Sequence, residues 1–88
     1  MTQALDFSGQ VVLVTGGAKG VGRGISQRFL EHGAEVVICG REAPAQLPSH
    51  AGHEAWFVPC DVRDFAQLEA LMAAIDERHG RQIGRAHV

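Results

Sequence analysis

The sequence contains no tyrosine and no asparagine, and Lys19 is its one lysine. Chemistry that needs a catalytic Tyr, or a Lys other than Lys19, cannot run on these 88 residues alone. Aromatic residues make up only 6%. The two cysteines, Cys39 and Cys60, are too few for the disulfide framework of a small secreted domain. No run approaches the roughly 18 apolar residues of a membrane span. Met1 to Gln10 carries Asp6 and lacks a basic-then-apolar leader pattern, so a cytoplasmic location is expected. A net charge of -2 and a pI near 6.2 supply no basic field, so neither nucleic acid nor a membrane is an expected partner. A chain this short holds one small domain and buries roughly 60–65% of the surface its unfolded form exposes.

What is present alternates strand and helix. Val11-Val12-Leu13-Val14 is a continuous apolar, β-branched run, the signature of a strand buried on both faces of a parallel sheet. A glycine-rich turn follows. Val21, Ile25 and Phe29, with Leu30 beside them, recur at helical spacing, and Gly33 stands where a helix ends. Val36-Val37-Ile38-Cys39 is a second buried strand, stopped by Gly40. Residues 41–53 hold Pro44, Pro48, Ser49 and Gly52 and read as a surface connection with room for a weak helical turn. Ala55-Trp56-Phe57-Val58 is a third strand, ended by Pro59. Asp64 is an expected N-cap with Gln67 as its capping-box partner. Phe65, Leu68, Met72 and Ile75 form the apolar stripe of a second helix, closed by Gly80. The order β-α-β-(loop)-β-α predicts a doubly wound α/β sheet.

The turn reads Thr15-Gly16-Gly17-Ala18-Lys19-Gly20-Val21-Gly22. Glycines permit positive φ and close approach of the backbone to a ligand, and the following helix start attracts phosphate. Two phosphate-loop templates fail. Lys19 precedes Gly20 and is not followed by Ser or Thr, which excludes the nucleoside-triphosphatase loop. Gly20-Val21-Gly22-Arg23-Gly24-Ile25 misses the last position of G-x-G-x-x-G. The competing reading is a plain strand-to-helix turn, although one or two glycines suffice for that.

The spacing T-G-x-x-x-G-x-G, filled by Thr15, Gly16, Gly20 and Gly22, resembles the nucleotide turn of the short-chain dehydrogenase/reductase family. Arg41 follows the second strand where the family contacts the adenosine ribose, and Asp61-Val62 resembles its adenine-holding element. The resemblance spans about Phe7 to Arg81. It implies the N-terminal β-α-β-β-α part of a doubly wound parallel Rossmann sheet, order 3-2-1, truncated before strand four. The expected partial NADP-binding domain covers residues 7–81. The implied cofactor-binding residues are Thr15, Gly16, Lys19, Gly20, Val21, Gly22, Arg41, Asp61 and Val62. For Asp61 the alternative is a surface acid near the helix start.

Lys19 and Arg41 are expected to bracket a ribose 2′-phosphate, so NADP(H) is the expected cofactor and NAD(H) the less favoured one. The carboxylate of an NAD site belongs at the end of strand two, where Cys39-Gly40-Arg41 has none. Glu42 competes and is expected to point to solvent. The resemblance implies hydride transfer between a small-molecule carbonyl or alcohol and NAD(P), run by a Tyr-x-x-x-Lys pair, a Ser and an Asn. None of these is present, so the chain carries no catalytic residue and is expected to be inactive by itself. The parent enzyme is expected to be a homo-oligomer. The alternatives are a self-standing NADP or adenine-nucleotide binding module and a nonfunctional truncated product.

Several residues carry plainer expectations. His50 and His53 lack a third ligand, so no metal is expected. Cys39 and Cys60 read as small buried side chains, and Trp56 as packing under the second helix. Ser8, Ser26 and Ser49 read as surface or cap residues. Arg23 and Arg28 read as a solvated face, with an approach of Arg23 to cofactor phosphates as the alternative. Ile83 to Val88 matches what a widely used sequencing adapter encodes in one frame, so residues 82–88 are expected to be a non-native tail without strand pattern. The alternative is a natural, basic, disordered tail. Without a fourth strand, Val11 to Val14 would form an open edge.

Overall fold

A computed structural model describes residues 6–79 and 85–87. In chain order the elements are β1 (Val11–Thr15), α1 (Gly20–Glu31), β2 (Glu35–Gly40), β3 (Ser49–His50), β4 (His53–Glu54), β5 (Trp56–Pro59), α2 (Phe65–His79) and β6 (Arg85–His87). The main sheet is parallel, in the order β5-β2-β1-β6. Three strands therefore stand in the expected order 3-2-1.

The two apolar runs are buried on both faces, as a central parallel strand requires. Side chains alternate across the sheet. Val11, Leu13, Val37 and Cys39 face one way and pack with Cys60 and with Leu71 and Ile75 of α2. Val12, Val14, Val36 and Ile38 face the other way and meet Leu30, Ala34 and Ala55, flanked by Ile25 and Phe29 of α1. One helix thus covers each face.

Ile25, Phe29 and Leu30 of α1 and Leu68 and Ile75 of α2 pack on the core as expected, but each stripe is shifted at one or two positions. In α1 the fully buried residues are Ser26 and Leu30, whereas Val21 is 82% exposed. In α2 the buried residues are Leu71 and Ile75, whereas Phe65 is 70% exposed and Met72 is 36% exposed. Two adjacent stripes on a helix can both satisfy i, i+3, i+4 spacing, and docking selects one. In α1 the selected stripe is small because the helix starts in close contact with the sheet.

The connection after β2 contains the β3–β4 hairpin rather than a helical turn. His50 pairs with His53 around Ala51 and Gly52, at φ 51 and 86. Both central residues at positive φ match a tight two-residue hairpin turn. The open edge expected for β1 does not exist either: Val11, Val12 and Leu13 pair with Arg85, Ala86 and His87. Ladder bonds use the backbone, so a segment without apolar pattern can still satisfy the outer N–H and C=O groups of β1. Gly80, the expected helix closer, and tail residues 82–84 and 88 lie outside the described residues.

Helix α2 starts on its expected cap. Asp64 Oδ1 accepts from the Ala66 and Gln67 N–H groups at 3.0 and 3.3 Å. Gln67 does not return to the Asp64 N–H, which donates to Asp61 O at 2.9 Å. Its Nε2 donates to Asp64 Oδ2 at 3.2 Å, and its Oε1 accepts the Asp61 N–H at 2.8 Å. The capping pair thereby reaches back to fix Asp61. Replacing Asp64 by Ala is expected to destabilise the chain by about 1 kcal/mol in urea unfolding, with the slope unchanged.

Candidate cofactor site

The site begins where β1 ends. Gly16 has φ +68, a conformation that a side chain would strain. A Cβ on Gly22 would overlap the Gly16 carbonyl, so the first turn of α1 lies directly on the strand end. A Cβ on Gly17 would sit 2.6 Å from Ile38 Cγ2 and 2.7 Å from Ser26 Oγ. Ser26 is fully buried, which corrects its reading as a surface or cap residue. Its Oγ lies 2.9 Å from Gly22 O and 3.3 Å from Gly17 O, so one hydroxyl serves both helix and turn. The interior placement of Gly17 and Ser26 carried no signal in the sequence beyond their small size.

Lys19 is the N-cap of α1, with extended backbone and no side-chain capping bond. The first turn contains no acidic residue. The positive potential of this helix start is therefore not neutralised from within its own first turn.

A cleft of about 620 Å³ opens here, lined by Gly16, Ala18, Lys19, Cys39, Gly40, Arg41 and Glu42. A second hollow of about 230 Å³ shares Gly16, Cys39, Gly40 and Arg41 with it and adds Cys60, Asp61, Val62 and Arg63. Of the residues expected to hold a cofactor, Gly16, Lys19, Arg41, Asp61 and Val62 line this continuous surface. Thr15, Gly20 and Gly22 shape the turn without lining it. Val21 lies elsewhere, beside Phe7, Ile25 and Phe29 on the outer side of α1. Glu42 is exposed as expected, yet it also lines the cleft.

Asp61 is engaged by Arg63, a partner the sequence reading missed. Arg63 Nε and Nη2 lie 3.0 and 2.9 Å from Oδ1 and Oδ2, and the Arg63 N–H donates to Oδ1 at 3.0 Å. A carboxylate offers about four lone-pair sites, so three donors leave roughly one, on Oδ2. The Arg63 side chain and backbone hold the Asp61 carboxyl down at about 2, with Arg41 adding a smaller pull. Beneath the cleft, Cys39 and Cys60 are free and buried. Burial, followed by the neighbouring Cys60, pushes the Cys39 thiol up to about 11. A thiol so raised is inert at neutral pH, in keeping with the expected packing role.

Trp56 faces α2, as expected, with the Arg78 guanidinium 4.3 Å over its ring and His79 edge-on at 6.2 Å. Neither Trp56 nor the His50–His53 pair reaches the cleft. Among the described residues no group of three potential metal ligands forms. Also among them, no helix is long and apolar enough to cross a membrane.

This arrangement sits in a chain whose residues 10–83 match the family model for short chain dehydrogenase. The chain belongs to that family. It is 37% identical to L-fucose dehydrogenase of Bos taurus over 87 residues, covering 92% of this chain and 30% of that protein. It is 39% identical to galactitol 2-dehydrogenase of Agrobacterium fabrum over 76 residues, covering 84% and 30%. A short chain dehydrogenase from Bacillus anthracis superposes with a TM-score of 0.74 at 34% identity, over 83% of this chain and 32% of that one. A citronellol catabolism dehydrogenase of Pseudomonas aeruginosa gives 0.72 at 28% identity, over 91% and 35%. The chain thus spans about a third of the length of these relatives.

Two outcomes test the site. Arg63→Ala should raise the Asp61 midpoint from about 2 toward the ordinary 3.8 in an NMR carboxyl titration. The depressed value means that the Arg63 contact stabilises the fold above pH 3.8 and ceases to do so as pH falls through about 2. For Cys39 the sign is opposite: its contribution is complete below the ordinary value of 9.0 and is lost as pH rises toward 11. Alkylation by iodoacetamide at pH 7.5 should accordingly be at least about tenfold slower in the folded chain than in urea.

Proposed function

We propose that this chain is the coenzyme-binding N-terminal part of an NAD(P)-dependent short-chain oxidoreductase that interconverts carbonyl and alcohol groups, with NADP(H) preferred. The observation that carries the reading is the cleft shared by Lys19, Arg41 and Gly16 beside the start of α1. The residues fit a phosphorylated adenosine: a glycine at positive φ on the cleft wall, a helix start with no acid in its first turn, and two cations on one hollow. Lys19 and Arg41 would hold the 2′-phosphate, and Gly16 and the first turn of α1 would admit the pyrophosphate. Asp61, with its remaining acceptor position, and Val62 would border the adenine. When bound, the coenzyme supplies or takes up hydride.

What the chain's own residues do is bind and orient. It contains no Tyr to act as acid or base on a substrate oxygen, so turnover by these 88 residues alone is not expected. Names of relatives such as L-fucose and galactitol dehydrogenase support a hydroxyl-bearing substrate for a full-length protein. Glu42 in the same cleft favours a second reading, in which its carboxylate accepts from the unphosphorylated ribose of NAD.

Cofactor titrations of a full-length protein carrying this segment separate the two. NADPH is expected to bind more tightly than NADH. Arg41→Ala should weaken NADPH by about tenfold or more and leave NADH nearly unchanged. Equal or tighter binding of NADH would overturn the NADP(H) preference.

A further inference from the structure

Arg23 is oriented in a way that the cofactor reading does not use. It belongs to the first turns of α1 and is half-buried. Its Nη1 donates to Gln46 O at 2.7 Å and lies 3.5 Å from Ala18 O. Its guanidinium is thus engaged by backbone carbonyls, which corrects the expectation of a solvated face. Ala18 precedes Lys19 on one wall of the cleft, and Gln46 lies in the connection that begins with Arg41 on the other. One guanidinium therefore touches the two backbone segments that carry the two cations. One turn further along α1, Gln27 Nε2 donates to Ser49 O at 2.7 Å.

We infer that Arg23 is a positioning residue that sets the gap between the Lys19 and Arg41 arms and thereby the discrimination between 2′-phosphorylated and unphosphorylated adenosine ligands. The inference rests on the NADP(H) reading above and deepens it. Between Gly40, where β2 ends, and Leu47, which packs on the core, the connection has no strand or helix. The Gln46 carbonyl is where Arg23 ties it to α1. Without that tie, residues 41–46 gain conformations that must be lost again when a phosphate engages Arg41. The part of the ligand held at the glycine turn does not depend on this segment. The cost should fall on the 2′-phosphate alone.

The test uses the 88-residue chain, with 2′-phosphoadenosine 5′-phosphate and 5′-AMP as probes, followed by NMR titration. The unaltered chain should prefer the 2′-phosphorylated probe. Arg23→Ala should cut that preference by about three- to tenfold and keep 5′-AMP affinity within about twofold. Backbone order parameters should fall over residues 41–46 and stay constant in β1 and β2. Arg23→Lys, which keeps a donor and the charge, should restore most of the preference and the order. An unchanged preference in Arg23→Ala would overturn the inference. So would a reduced preference with unchanged order over 41–46, which would mark a through-space charge effect. Should Arg23→Ala not fold, Arg23→Lys decides by comparison with Arg23→Met, which removes the donor: equal preference and equal order over residues 41–46 in these two would overturn the inference. Equal binding of both probes by the unaltered chain would instead overturn the NADP(H) reading and, with it, this extension.

Discussion

Helix α1 begins against the end of β1 with no side chain between them. Gly22 rests on the Gly16 carbonyl, and Gly17 fits under Ile38 and Ser26. A methyl group forced into such a contact costs on the order of 1–3 kcal/mol. That is a substantial share of the roughly 5–15 kcal/mol that holds a domain together. The contact also accounts for the helix's inner face. A helix this close to the sheet can bury only a glycine and a serine in its first turns, and it reaches a full apolar residue at Leu30. The outer residue Val21 is left in solvent, and the N-cap residue Lys19 lines the cleft.

The cleft combines this start with charges brought from separate segments. Lys19 comes from the turn and Arg41 from the end of β2. Asp61 comes from beyond β5, and Glu42 stands beside Arg41. Opposite charges so near one another would cancel if all were equally available to a ligand. Arg63 changes the balance by taking up three acceptor positions of Asp61. Gln67 adds a backbone hold on the same residue. The Asp61 side of the cleft thereby becomes a structured rim, while Lys19, Arg41 and Glu42 line the other side.

The sheet itself depends less on side-chain pattern than the cleft does. β1 is flanked on both sides, by β2 and by the short β6, although Arg85-Ala86-His87 has nothing of the β-branched character of the other strands. A central strand carries donors and acceptors along two edges, and each edge is satisfied by any backbone that can lie parallel to it. An apolar pattern reports burial of faces, and it is silent about who occupies an edge.

The residues that were legible are those whose role is local. The β-branched runs at 11–14 and 36–39, the glycine spacing from Thr15 to Gly22 and the Asp64 cap report themselves within a few positions, because strand burial, turn conformation and capping are properties of neighbouring residues. Ser26, Leu71, Arg23 and Arg63 were not legible in that way. Their partners, such as Gln46 for Arg23 or Gly17 for Ser26, lie far along the chain or are backbone atoms common to every residue. Amino-acid order was enough to establish the three apolar strands, the two helices and the glycine-rich form of the turn, but not the β3–β4 hairpin or β6. Which helix face meets the sheet, and how far apart the two cations stand, became settled only on packing, because both are distances between segments that local propensity does not encode.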